Sequence, residues 1–381
     1  MPSQGSYRDA LLRVVDEVVA PGAASVDASG EFPRAQVAAL GAAGILGLTV
    51  PADFGGGGAG LREAADVIRE LGSVCGSTAM VVTMHYTAVA ALTAAGDKDT
   101  LSAIAAGGHL STLAFSETGS RSHFWAPLSS AALLDDQQTV RLDAAKSWVT
   151  SAGHADSYVW SSRPVAAEGP MTLWLVPGGA EGLSVAGTFD GLGLRGNSSA
   201  PMTATGVTVP LSAMLGADGA GLDLAMAAVL PVFLVCSAAM NAGQLRRLAS
   251  ETGDHLQRTR LEHLGVSLAQ QAGPRAQLAR LRIEADRTWA LITETLNAVE
   301  SGREDALLLV LEVKASAGEA AAEAADLALK AGGGAAFRKK SVVERLFRDS
   351  RAARVMAPTT EALLDFIGRA LLGLPLLGEV Q

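Results

Sequence analysis

Three short polar turns hold most of the residues in this chain that could do chemistry. The first runs Ser111-Thr-Leu-Ala-Phe115-Ser116-Glu117-Thr118-Gly119-Ser-Arg121-Ser122-His123. The second runs Lys146-Ser-Trp148-Val-Thr150-Ser-Ala-Gly153-His-Ala-Asp156. The third is Gly191-Leu-Gly193-Leu-Arg195-Gly-Asn-Ser-Ser199, which leads into Val207-Thr-Val-Pro210. Together they offer hydroxyl donors and acceptors, glycine-rich backbone and two flat apolar rings, Phe115 and Trp148. Proton transfer asks for something else, a positioned side chain whose pKa lies near the working pH. His123, at the close of the first turn, and His85, within Met84-His85-Tyr86, have that basicity in the neutral form.

These turns lie in a stretch, residues 111–213, that differs from the rest of the chain. Runs such as Thr139-Val-Arg-Leu, Ser157-Tyr-Val-Trp-Ser, Met171-Thr-Leu-Trp-Leu-Val and 202–209 are rich in β-branched and aromatic residues and are separated by turn residues. That pattern predicts a small antiparallel β-domain, a barrel. Four of the five tryptophans (125, 148, 160 and 174) fall here. Before it, 7–19, 32–46, 61–71 and 77–95 carry helical periodicity. The glycine cluster 55–60 lies between two of these helices, which makes it a turn rather than a phosphate cradle. After the β-rich stretch, 222–259, 267–301, 305–330 and 341–370 are periodic and alanine-rich, with breaks at Gly265, Gly302 and Gly332-Gly-Gly334. Long helices with short connections predict an antiparallel four-helix bundle.

Composition narrows the function. The chain has 381 residues, 49% of them hydrophobic, and a mean hydropathy of +0.27. It can therefore bury a large core and form two to three domains. A net charge of −9 argues against nucleic acid as a partner, because phosphate binding needs a basic field. Cys75 and Cys236 are distant and show no metal spacing, so a reducing cytoplasm is expected. The first residues read as an amphipathic helix without an apolar signal core. The run 224–240 has Pro231 in its middle. It falls short of the roughly 20 apolar residues of a membrane span, so it predicts a helix buried in the bundle.

The order helical, β, helical, with Phe115-Ser116-Glu117-Thr118-Gly119 followed by Lys146-Ser-Trp148-Val-Thr150, resembles the acyl-CoA dehydrogenase superfamily over nearly the whole chain. The resemblance implies an α+β, mainly α fold: an N-terminal helical domain (1–110), a middle β-domain (111–216) and a C-terminal bundle (217–381). It implies FAD as cofactor and a homodimer or homotetramer. It places Phe115 and Ser116 at the flavin ring edge, Ser122 at the pantetheine or pyrophosphate, Trp148 against the ring and the Thr150 hydroxyl near its N5. An arginine near the end of the first long bundle helix, Arg258 or Arg260, would reach the pyrophosphate of a neighbouring subunit's FAD. The turn at Gly333 and Gly334 would contact the adenosine half, and Thr359 would touch the flavin. The substrate implied is an acyl thioester on CoA or an acyl carrier protein; the electron acceptor is left open.

One departure stands out. The family's catalytic glutamate follows an Arg-Asp segment, here Arg348-Asp349, and counting on from it lands on Ala357. The alternative position, on the first bundle helix, lands on Val232. Removing an α-proton from a thioester needs a carboxylate or its equivalent. The substitutes within reach of the resemblance are His123, His85 and Glu361. Two further readings keep the fold and change the chemistry: a flavin monooxygenase or N-hydroxylase, which needs no such base, and a non-oxidative biosynthetic enzyme.

Overall fold

The computed structural model describes residues 4–120, 123–339 and 341–377. The chain opens with α1 (Gln4–Val14), which continues through a π-helical turn (Val15–Val19) into α2 (Ala20–Ser29). Tyr7, Leu11, Val15 and Val19, all buried, recur every four residues. Such a stripe drifts around a 3.6-residue helix, and the wider π turn takes up part of the drift. Gly30, at φ 71°, ends α2 in the left-handed conformation, its N–H returning to Val26 O, the usual way a glycine closes a helix.

α3 (Arg34–Ala42), α4 (Leu61–Val74), α5 (Gly76–Ala95) and α6 (Lys98–Ala105) complete the first helical part. α5 is buried almost all round because α4, β1 (Ser111–Ala114) and the long helix of the C-terminal part surround it.

The strands form two four-stranded sheets. The first has the order β1, β4 (Ser157–Ser162), β5 (Thr172–Pro177), β8 (Met214–Leu215). The second has the order β2 (Ser130–Leu133), β3 (Thr139–Val149), β7 (Ala200–Pro210), β6 (Leu183–Val185). Pairing is antiparallel except that β1 runs parallel to β4. The expected barrel is corrected: among the described residues neither sheet closes on itself. All six residues of β4 are buried. Helix α5 packs against β1 and β4, so the first sheet is a covered layer with no open face to curl inward.

α7 (Gly221–Leu224) passes through a second π turn (Ala225–Val229) into α8 (Leu230–Arg258). A hairpin of β9 (Arg260–Leu261) and β10 (Val266–Ser267) precedes α9 (Ala272–Ser301) and α10 (Ala306–Ala336). α8 packs most extensively on α4 and α10. The α4 crossing is close enough to require glycine. A Cβ on Gly243 would lie 2.2 Å from Arg69 O, and one on Gly72 would lie 2.6 Å from Met240 O. The helices Gly76–Ala95 and Gly221–Arg258 are long and apolar enough to cross a membrane, yet 72% and 56% of their apolar windows are buried in the fold.

The single helix expected over 341–370 is three: α11 (Val342–Ser350), α12 (Ala352–Val355) and α13 (Thr360–Leu371). Pro358 has no N–H to continue the ladder. The Thr359 side chain caps α13 by accepting from Ala362 N–H at 3.3 Å, as a hydroxyl at that position commonly does. This broken segment packs on α10 and takes the fourth place beside α8, α9 and α10.

Candidate functional site

The first two polar turns meet through a buried ion pair whose members are 29 residues apart in sequence. Lys146 Nζ donates to Glu117 Oε1 at 2.6 Å, with both side chains almost fully buried. Glu117 also accepts from the Leu128 and Ser129 N–H groups and from the Ser129 hydroxyl. Lys146 donates to Ser161 O at 2.7 Å and Ser161 Oγ at 2.8 Å, and lies 5.3 Å from the Trp160 ring centroid. Burial lowers the lysine pKa to about 8 against the opposing pull of Glu117. Burial works to raise the Glu117 pKa, but Lys146 and the donors around the carboxylate outweigh it and leave that pKa below the usual range. With the pair in place, Ser147 N–H donates to Ser116 O at 2.9 Å.

Immediately after Lys146 the register of β3 on β7 shifts, because Ser147 and Trp148 together face Pro201. Bulges of this kind re-aim a side chain. Trp148 sits at φ 55°, a costly conformation for a bulky residue. It is 70% exposed, and its indole stands edge-on to Phe189 at 6.4 Å.

That indole forms one wall of a cavity of about 80 Å³. The lining joins every part of the chain: Met84 of α5, Leu113, Phe115 and Ser116 around β1, Phe124, the bulge residues Ser147 and Trp148, Ala225, Val229, Leu230 and Phe233 of the α8 segment, and Ala357 with Pro358. Among the described residues, the two serines and the indole N–H are its only polar side-chain groups, and no ionisable group lines it. Ala357, where the glutamate would stand, is in the wall. Val232 is not; its helix presents Val229, Leu230 and Phe233 instead.

The proposed bases separate. His85 is fully buried, accepts from Ser111 N–H at 3.2 Å through Nδ1 and donates through Nε2 to Leu46 O at 3.0 Å, a tautomer assigned from those partners. Burial pushes its pKa down to about 4. It is outside the lining, and both its ring nitrogens are engaged with backbone groups. His123 is exposed, donates from Nδ1 to Ser120 O at 2.9 Å and stands edge-on to Trp125 at 4.8 Å. It lies next to the lining residue Phe124, while Trp125 packs on Phe366 of α13 at 5.5 Å. Glu361 is exposed in the first turn of α13 and is outside the lining.

Among the expected cofactor contacts, Phe115, Ser116 and Trp148 share the cavity. The Thr150 hydroxyl is buried against Ser199 Oγ at 3.0 Å, and Thr359 is the cap of α13. Ser122 lies outside the described residues. A second cavity, of about 110 Å³, lies between the end of α8, the end of α10 and the start of α11. Arg258, His255, Gly332 and Ser341 line it, and next to Gly332 the residue Gly333 breaks α10 at φ 52° with Gly334 following. Arg260 is elsewhere, donating to Gly265 O within its own hairpin at 3.0 Å.

Sequence reading missed three sets of supporting residues. The Glu117–Lys146 pair is not evident from either motif alone, although a lysine in phase with Val140 and Leu142, apolar buried positions of β3, is itself a signal. Arg348 forms a two-pronged bridge to Asp27 (2.8 and 2.6 Å), while buried Asp349 accepts from Leu194 N–H at 2.7 Å. These contacts fasten α2 and the third polar turn to α11. Burial raises the Asp349 pKa to about 6. The third is Lys314, a buried lysine in the first half of α10 aimed at the Met356–Pro358 turn.

Three domains of one family match almost the full length. The family models described as acyl-CoA dehydrogenase N-terminal, middle and C-terminal domain match residues 1–103, 112–207 and 219–372. The chain is 25% identical over 356 residues to the mitochondrial short-chain specific acyl-CoA dehydrogenase of Homo sapiens, covering 90% of this chain and 83% of that one. It is similar in structure to butyryl-CoA dehydrogenase from Megasphaera elsdenii, with TM-score 0.90, 19% identity and coverage of 98% and 99%. It is also similar to FkbI, described as serving biosynthesis of a methoxymalonyl extender unit, with TM-score 0.85, 26% identity and coverage of 96% and 99%.

Proposed function

The chain belongs to the acyl-CoA dehydrogenase superfamily, a family of flavoprotein oxidoreductases, and from that premise we propose that it oxidises an acyl thioester carried on CoA or an acyl carrier protein. The observation that carries this reading is Trp148, a large apolar ring held exposed on a strained bulge beside Ser116, in a cavity built by all three parts of the chain. These residues fit FAD: the indole offers a flat wall, and Ser116 and the bulge backbone offer groups for the polar edge of the ring. When bound, FAD would supply the acceptor for a hydride from the acyl β-carbon. Arg258 and the Gly333 turn fit a second role, completing the FAD site of a neighbouring copy in a homodimer or homotetramer.

The residues around the acyl group set its chemistry. Phe124, Phe233, Leu230 and Val229 exclude water and favour a small apolar acyl group. None can take a proton, so the chain leaves α-deprotonation to the acidity of the substrate or to His123 at the adjoining loop. A substrate with an activated α-hydrogen satisfies that constraint. The likeness to FkbI, described as serving extender-unit biosynthesis, supports looking beyond straight-chain thioesters.

The same lack of a base favours a second reading, oxygenation of the substrate by a reduced flavin. Anaerobic titration of the protein incubated with FAD separates the two. Bleaching by an acyl thioester without oxygen is the expected result. A protein that stays colourless with excess FAD overturns the cofactor assignment, and flavin oxidation that requires both oxygen and substrate selects the oxygenase.

A further inference from the structure

The turn that carries the cavity wall at Ala357 and Pro358 hangs from a single side chain. Lys314, on α10 and 1% exposed, donates from Nζ to Pro358 O at 2.7 Å, Met356 O at 3.1 Å and Ala353 O at 3.4 Å. An ammonium has three donors and finds three carbonyls; a neutral amine would leave one of them unbonded. Two of the acceptors flank Ala357, the position left without a carboxylate. The segment needs an external partner because α12 has ended and Pro358 interrupts the backbone ladder before α13 begins.

We propose that Lys314 is a positioning residue of the cavity: its ammonium straps the Ala353–Pro358 turn to α10 and so sets where Ala357 and Pro358 stand relative to Trp148 and Phe233. The inference deepens the thioester reading and rests on it only for the effect on turnover; the strap itself is a property of the chain.

Among the described residues no carboxylate shares the site. On the elements packed here, Glu319 pairs with Arg354 and Asp326 with Arg351, each with at least one partner well exposed. Glu312 and Glu361 are partly or fully exposed, and Asp349 is turned to Leu194. Burial lowers the Lys314 pKa to about 7, so the strap loses its third donor as pH rises through neutrality. A partner that holds a turn through a buried, unpaired charge differs from a packing strut. Removing the charge relieves desolvation, so the global fold gains or is unchanged while the turn loosens.

Hydrogen exchange read by mass spectrometry on FAD-loaded wild type, Lys314→Met, Lys314→Gln and Lys314→Arg tests this between about pH 6 and 9, with intrinsic rates corrected. Exchange in peptides spanning 353–363 is expected to rise about tenfold or more in Lys314→Met, less in Lys314→Gln and least in Lys314→Arg, with α5 and β3 unchanged. In wild type the same peptides should lose protection as pH rises through about 7, a step that Lys314→Met lacks. With whichever CoA thioester bleaches wild type, Lys314→Met should slow bleaching about 10- to 100-fold at unchanged flavin content. Wild-type exchange at 353–363 in Lys314→Met overturns the strap, as does a loss of protection spread evenly over the bundle. If no thioester bleaches wild type, the oxidation reading fails and the exchange result still decides the strap.

Discussion

At the scale of single residues, the site is defined by one exposed ring and a missing acid. Trp148 carries a backbone cost and an exposure cost at once, and neither is explained by packing within the chain. Replacing it by alanine should raise the dissociation constant for FAD about tenfold or more, since each tenfold is about 1.4 kcal/mol and a lost aromatic contact is of that order. Equilibrium dialysis of the variant checks this; wild-type affinity would show that the indole is not a cofactor wall. The two histidines part company. His123→Ala should slow flavin reduction about 10²- to 10⁴-fold if it is the base, with flavin content intact. His85→Ala should instead act on stability, costing about 2–4 kcal/mol, because it leaves Leu46 O and Ser111 N–H buried and unpaired. Urea unfolding and rapid-mixing reduction, run on both variants, separate these roles. The His85 outcome could not be read from its neighbours Met84 and Tyr86. Basicity belongs to the residue type, whereas full burial between two backbone groups belongs to the packing of α5 against the segment around Leu46.

At the scale of elements, the cavity depends on joints between segments distant in sequence. The Glu117–Lys146 pair joins the first turn to β3, and its value lies in what happens when half of it is lost. Glu117→Gln leaves a buried ammonium without its counter-charge and should destabilise the protein by about 3–5 kcal/mol, whereas changing both residues to apolar ones should recover much of that loss. A double-mutant cycle by denaturant unfolding reads the coupling, and independent, additive effects would refute it. The joint at α11 is sensitive to pH. Burial raises the Asp349 pKa from 3.8 to about 6, so between those values the folded chain binds the proton that the unfolded chain has released. The stability Asp349 contributes is therefore complete below about pH 4 and is lost as pH rises through about 6, by at most about 3 kcal/mol. Asp349→Asn keeps an acceptor for Leu194 N–H and should flatten that stretch of the stability curve. Parallel wild-type and variant curves between about pH 4 and 7 would contradict the assignment.

At the scale of the whole molecule, the second cavity at the ends of α8 and α10 predicts assembly. Arg258 and the Gly333 turn stand together there, and the reading of a shared cofactor site requires a second copy. Wild type should sediment as a dimer or tetramer, and Arg258→Ala should lose FAD on gel filtration without losing the β-domain. A monomer that retains one FAD per chain would refute the shared site. The sequence by itself determined what short stretches and periodicity can encode: the order helical, β, helical, the local motifs around Ser116 and Trp148, and the absence of a glutamate at Ala357 and Val232. Each of these is a matter of residue identity at a position. Tertiary structure alone decided which groups are buried and which remote partners they meet. It joined Glu117 to Lys146, closed both nitrogens of His85, held Asp349 against Leu194, and split the last expected helix at a turn hung from Lys314. Desolvation and hydrogen bonding at these points depend on elements far apart in the chain. Periodicity reports which face of a helix is apolar, but not which distant carbonyl a lone buried charge will find.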